Sequence, residues 1–89
     1  MKAIVTVVGK DQVGIIASVC NQLAQYNVNV LDISQTVMQG YFTMMMVVDV
    51  SACTVPLSQL CGIMEETGTA KELSIRLQRE DIFEAMHRI

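Results

Sequence analysis

The chain alternates between two kinds of apolar spacing. Residues 2–8 are mostly β-branched and contain neither Gly nor Pro, which predicts a strand. Over residues 12–26, Ile16, Val19, Cys20 and Leu23 recur at helical spacing, which predicts an amphipathic helix. Asn27 suits its end, because Asn tolerates the left-handed conformation. Residues 28–38 form a second strand, Gln39 and Gly40 a tight turn, and residues 41–50 a third strand paired with the second as a hairpin. Residues 51–55 are a loop, and Pro56 suits the first turn of a second helix. Leu57, Leu60, Cys61 and Met64 mark one face of that helix, and Gly68 closes it. In residues 72–79, Leu73, Ile75 and Leu77 alternate with polar side chains, a half-buried strand. The order β-α-β-β-α-β predicts an α+β, ferredoxin-like sandwich: a four-stranded antiparallel sheet with two helices on one face.

Two features exceed that layout. Residues 80–89 carry Ile82, Phe83, Met86 and Ile89 along one stripe of a short helix. A helix this short is marginal alone and must dock on something. The third strand presents Phe42, Met44, Met46 and Val48 to one side, but the opposite side carries Thr43, Met45 and Val47. The first strand is apolar on both sides as well, with Val5 and Val7 on one and Ile4 and Val8 on the other. A sheet with one solvated face should alternate apolar with polar residues, so both faces want cover. The terminal helix, or a partner's copy of it, is the expected cover. The chain thus divides into a domain over residues 1–79 and a helical extension over 80–89.

At 89 residues this is one domain. Its 52% of apolar residues is more than so small a globule can hide, which points to a homodimer or a higher homo-oligomer. The net charge of −3 and the lack of a basic cluster disfavour direct nucleic-acid binding and an anionic membrane surface. Cys20, Cys53 and Cys61 are odd in number and widely spaced, which fits neither a disulfide framework nor a zinc site. A reducing, cytoplasmic setting follows. The first residues enter a strand directly, with no signal-peptide pattern.

Candidate chemistry concentrates where the first strand meets the first helix. The loop at Asp11, Gln12, Val13, Gly14 and Ile15 offers free backbone N–H groups at a helix start, which favour an anion. Gly14 serves either close approach of a ligand to the backbone or close packing of helix on sheet. Asp11 serves as a helix cap, as the partner of a ligand ammonium, or as both. Asn29 offers donor and acceptor together, which suits a zwitterion, and is equally an ordinary polar residue of an edge strand. Asn27 stands next to it, chiefly as a terminator. Elsewhere the chain offers little. His87 stands alone, so a metal site is not expected, and no cofactor fingerprint is present. Asp32 and Asp49 lie on neighbouring strands of the hairpin without a nucleophile or base around them, so an enzyme is disfavoured.

With the element order in hand, Gly9 to Ile16 at the first junction and Asn27-Val28-Asn29-Val30 opening the second strand resemble the ACT domain. The resemblance spans residues 1 to 79, and it is nearest to small free-standing ACT proteins of bacteria and archaea. It is also similar to the ACT modules of formyltetrahydrofolate deformylase and of the glycine cleavage system transcriptional repressor. The family implies a regulatory domain that binds a small ligand, most often an amino acid, at an interface between paired copies. There the glycine loop of one copy meets the start of the second strand of its neighbour. Carried onto this chain, the loop contacts are Asp11, Gln12, Val13, Gly14 and Ile15, the strand contact is Asn29, and Asn27 adjoins it. Asp11 departs from the Asn of some amino-acid-binding members, and Val13 from their Pro. With no effector domain in the chain, the output would pass to a separate effector protein. The alternative is a protein-interaction or oligomerisation scaffold without a small ligand.

Overall fold

The computed structural model describes residues 1–81. The stripe residues Ile82, Phe83, Met86 and Ile89 of the expected terminal helix lie outside the described residues. The elements run β1 (Lys2–Lys10), α1 (Ile15–Gln25), β2 (Asn29–Met38), β3 (Tyr41–Asp49), α2 (Leu57–Ala70) and β4 (Leu73–Arg79). The four strands form one antiparallel sheet in the order β2-β3-β1-β4. This is the ferredoxin-like arrangement, with β1 at the centre and β2 and β4 at the edges.

The period-2 pattern sorts the two faces as the sequence predicts. Val5 and Val7 of β1, Phe42, Met44, Met46 and Val48 of β3, and Leu73, Ile75 and Leu77 of β4 are buried in one core. Helix α1 adds Ile15, Val19 and Leu23, spaced four apart, and α2 adds Leu60 and Met64. Ile16, Cys20, Leu57 and Cys61 pack on the rim of that core, half-buried.

Helix α1 ends as its Asn suggested. Asn27 sits at φ 60°, its N–H donates to Ala24 O at 3.0 Å, and Val28 N–H reaches back to Leu23 O at 3.0 Å. That double closure is the Schellman pattern, which satisfies the last carbonyls of the helix. The start of α1 is later than expected, at Ile15 rather than residue 12. The left-handed Gly14, at φ 86°, breaks any helical continuity with the loop before it.

Gly68 does not close α2. The helix runs on to Ala70, and the turn is made by Glu72 at φ 59°. Gly68 is instead buried against β4, where a Cβ would meet Leu73 O at 2.7 Å and Ile75 N at 3.1 Å. The residue lets helix backbone lie on strand backbone.

The β2 strand is poorly covered. A bulge between Val30 and Asp32 shifts its pairing with β3. Beyond it Ile33, Gln35 and Val37 oppose Met46, Met44 and Phe42, so they point to the helix side. They remain exposed there, on a stretch of β2 that no helix covers among the described residues.

Candidate ligand-binding groove

The uncovered strip between α1 and β2 forms a groove of about 270 Å³. Its near wall is Asp11, Gln12 and Gly14 of the loop with Ile15, Ile16 and Ala17 of the first helical turn. Its far wall is Gln35 and Val37 of β2, and its floor Phe42 of β3. The loop is held against the hairpin by the Asp11 N–H, which donates to Gly40 O at 2.8 Å. Gly40 can offer its carbonyl there because the hairpin turn has Gln39 and Gly40 both at positive φ, 50° and 82°.

Gly14 is the helix N-cap, and no side chain caps the helix. Asp11 therefore does not serve as the cap, and its carboxylate stays exposed at the mouth of the groove. The first intrahelical bond is Ser18 N–H to Gly14 O at 2.9 Å. The N–H groups left without an intrahelical acceptor are those of Ile15, Ile16 and Ala17. The free N–H groups were expected over Asp11 to Ile15, and the set at the observed helix start instead begins at Ile15 and runs two residues further, to Ala17. A Cβ at Gly14 would have nothing within 4 Å, so close packing is not the reason for this glycine. The reason is its φ, which L side chains rarely adopt. Gly14→Ala is expected to cost about 1 kcal/mol through that strain alone, the typical penalty of a left-handed non-glycine residue. Chemical denaturation of the two proteins checks it.

Four of the expected site residues come together: Asp11, Gln12, Gly14 and Ile15. Val13 does not join them and is fully exposed, on the outside of the loop. Gln12 also ties the loop to the α2–β4 connection, its Nε2 donating to Lys71 O at 3.2 Å. Asn27 and Asn29 lie elsewhere. Asn27 Nδ2 donates to Ala52 O at 3.0 Å, and Asn29 pairs with Asp49 at the start of β2. Within one chain six residues of β2 separate Asn29 from Gln35 at the groove, at roughly 3.3 Å each. Gln35, Val37 and Phe42 were not anticipated. The hairpin pairing at Gln39 and Gly40 carries their signal, since it places Val37 opposite Phe42 and Gln35 opposite Met44.

The two hairpin carboxylates are occupied locally. Asp32 Oδ1 accepts the Ile33 N–H and Asp49 Oδ1 accepts the Ser51 N–H, both at 2.9 Å. The Met1 ammonium lies 3.6 Å from Asp49 and donates to Ser51 Oγ. Hydrogen bonds from Ser51, first from its side chain and then from its backbone, hold the Asp49 carboxyl below its ordinary pKa, aided by the nearby ammonium. A depressed folded-state pKa adds stability above the unfolded value and loses it as pH falls. The stability gap between the protein and Asp49→Asn is therefore expected at neutral pH and to close in acid below about pH 4. Acid-titration melts of both proteins check the sign.

The thiol of Cys61 donates to Leu77 O at 3.2 Å, and burial, with Glu65 nearby, pushes its pKa up. The side chain packs at the edge of the core. Among the described residues no group of three or more His, Cys, Asp or Glu side chains could hold a metal ion. No helix among them is long and apolar enough to cross a membrane.

Four antiparallel strands, two helices on one face and a groove beside a glycine-capped helix start place the chain in the ferredoxin-like class of α+β domains. Residues 2–78 match the family model described as the ACT domain, and the chain belongs to that family. It is similar to a UPF0237 protein of Bifidobacterium longum, 56% identical over 99% of this chain and 98% of that one. A UPF0237 protein of Clostridium perfringens is 53% identical over the full length of both. Among solved structures, an ACT domain protein from Streptococcus pneumoniae is 46% identical, with a TM-score of 0.82 over 98% of each chain. A formyltetrahydrofolate deformylase from Pseudomonas syringae shares the fold at a TM-score of 0.79 and 21% identity, over 88% of this chain and 27% of that one. Membership makes this a domain of a typically regulatory, ligand-binding family.

Proposed function

We propose that this chain is a homodimeric metabolic sensor that binds a small zwitterion, an amino acid first among the candidates, in the groove between α1 and β2. It is not an enzyme on this reading, and it acts in the cytoplasm by passing its state to a separate effector protein. The observation that carries the reading is the polarity of the groove. One wall offers the Ile15, Ile16 and Ala17 N–H groups, the mouth holds the exposed carboxylate of Asp11, and the floor is apolar Phe42. A ligand carboxylate on the helix start gains about 0.3–1 kcal/mol from the helix dipole. The ligand ammonium goes to Asp11, and an apolar side chain to Val37 and Phe42.

The second copy completes the site. The β2 edge is ten residues long and unpaired, with Leu31, Val37 and Met38 exposed. Such an edge is a ready template for another strand. A two-fold axis that overlaps all ten residues of two antiparallel β2 strands sets Asn29 of one copy opposite Met38 of the other. Asn29, remote from the groove of its own chain, then stands at the rim of its partner's groove. The loop residues Asp11, Gln12, Gly14 and Ile15 and the distant Asn29 become one site, with Asn27 and Val13 at its margin.

A thermal melt against the twenty amino acids and common one-carbon metabolites tests this, with Asp11→Ala and Asn29→Ala alongside. A ligand at a hundred times its Kd adds about 2.7 kcal/mol of stability, on the order of 10 °C in a domain of this size. The expected result is a shift of that order from one compound, lost in both variants. No shift from any compound, with a stable dimer present, would favour the scaffold reading. The apolar β2 edge also supports that second reading, because it needs no small ligand to attract a partner.

A further inference from the structure

The sheet has a second open edge, opposite β2. Among the described residues β4 pairs with β1 alone, so its outer edge carries a row of N–H and C=O groups. Helix α2 runs beside that edge. Leu57, Cys61, Glu65 and Thr69 recur every four residues, which sets them along one side of the helix. They flank the buried row Leu60, Met64 and Gly68. Two cavities follow one another between this side of α2 and β4. One, of about 240 Å³, lies between Glu65 and Thr69 on the helix and residues 73–76 on the strand. The other, of about 400 Å³, lies between Leu57, Ser58 and Cys61 and residues 77–79. Together they trace all 7 residues of β4, of both parities, so the channel lies at the margin of the strand rather than on one face. The Cys61 thiol, donating to Leu77 O at 3.2 Å, marks where helix and strand backbone meet along it.

We propose that this channel takes an extended segment of a partner protein, added antiparallel to β4 as a fifth strand. The lengths agree. The helix from Leu57 to Thr69 spans about 18 Å, and the strand from Leu73 to Arg79 about 20 Å. The lining sets the pattern of the segment. Its side chains towards α2 are apolar where they meet Leu57 and Cys61 and basic where they meet Glu65 and Thr69. Its side chains on the other face run past Ser74 and Arg76, and the one opposite Arg76 is acidic. Arg76 is exposed and, among the described residues, forms no ion pair, whereas Arg79 is bridged to Asp81 at 3.0 Å. A second copy of this chain suits the edge less well. A two-fold pairing of two β4 strands over their full length sets Arg76 opposite Arg76, and like charges directly opposite oppose pairing. The surface lies across the sheet from β2, so it stays open in a β2-paired dimer and does not rest on the ligand reading.

Amide NMR of the labelled full chain tests this with a synthetic end-blocked peptide, Val-Thr-Val-Glu-Val-Thr-Lys, and with its counterpart carrying Lys in place of Glu. The expected result is that the Glu peptide shifts the amides of residues 73–79 and of Cys61 and Glu65, and leaves those of β2 in place. The Lys peptide is expected to bind about fivefold more weakly, and Arg76→Glu to reverse that preference. A Glu peptide that leaves residues 73–79 unmoved at millimolar concentration overturns the proposal. So does equal binding of the two peptides, or a preference that Arg76→Glu leaves unchanged. Contacts between β4 strands of differently labelled copies in the peptide-free protein also overturn it, since the edge would then belong to a second copy. The amino-acid melts read the other side of the sheet, so either reading can fail without the other.

Discussion

Gly68→Ala is expected to destabilise the protein by about 1–3 kcal/mol, the typical cost of overpacking. Helix propensity argues the other way, since Ala is preferred to Gly within a helix by roughly 0.5–1 kcal/mol. Geometry decides the sign. The added methyl would lie 2.7 Å from Leu73 O, 2.9 Å from Ile75 Cγ1 and 3.1 Å from Ile75 N. Two of those three atoms are backbone of β4, which cannot rotate aside as a side chain can. The relief available is for α2 to lift from β4, which loosens Leu60 and Met64 as well. Gly68→Val adds two more methyl groups to the same space and is expected to leave no stable fold, because a domain this small has little stability to spare. Gly62 is the internal control. It lies in the same helix, exposed, with nothing within 4 Å of its Cβ position, so Gly62→Ala is expected to stabilise by about 0.5–1 kcal/mol. Urea denaturation of the three variants reads both signs. Equal effects at the two positions would remove the backbone contact as the cause.

Met46→Ala is expected to cost about 2–5 kcal/mol, and its neighbour Met45→Ala less than about 1 kcal/mol. The two residues share composition, strand and nearly all of their sequence context. They differ in the face they present. Met46 is fully buried opposite Val5, in the layer between sheet and helices. Removing it leaves a cavity lined by a core that relaxes only partly. Met45 is 41% exposed on the far face, opposite Thr6. Its truncation removes contact but encloses no void. Denaturation midpoints at one fixed protein concentration check the contrast, and comparable losses at the two sites would mean that the far face is as closely packed as the core.

That contrast was legible in the sequence, because the alternation from Phe42 to Val48 is strict. The element order was legible for the same reason, together with the punctuation at Asn27 and at Gln39 and Gly40. Three things were not. Gly68 carries the same letter whether it ends a helix or admits a strand, and the strand that requires it, Leu73 to Ile75, comes later in the chain. The faces of β2 were obscured by the bulge after Val30. Val28 and Val30 share one parity while Ile33 and Val37 share the other, and that change of parity is the bulge's trace in the sequence. The groove was half-visible. Its loop wall is a contiguous stretch at the helix start, but its far wall depends on a pairing register and on how far α1 sits from the sheet edge. The placement of the free N–H groups was off by two residues because the left-handed Gly14, which delays the helix, follows from a backbone angle that composition does not encode.

The position of β1 sets the order in which the domain can be built. It is made before the other three strands and it ends inside the sheet, between β3 and β4. Val5 must wait for Met46 on one side and for Leu77 on the other. A nascent chain that has emerged as far as the hairpin still lacks the strand that closes the second edge of β1, so the N–H and C=O groups of that edge remain available to neighbours during synthesis. Pairings this far apart in sequence favour folding in milliseconds to seconds rather than microseconds. Completion of the sheet hangs on β4, so the second edge of β1 stays open until residues 73–79 have been made.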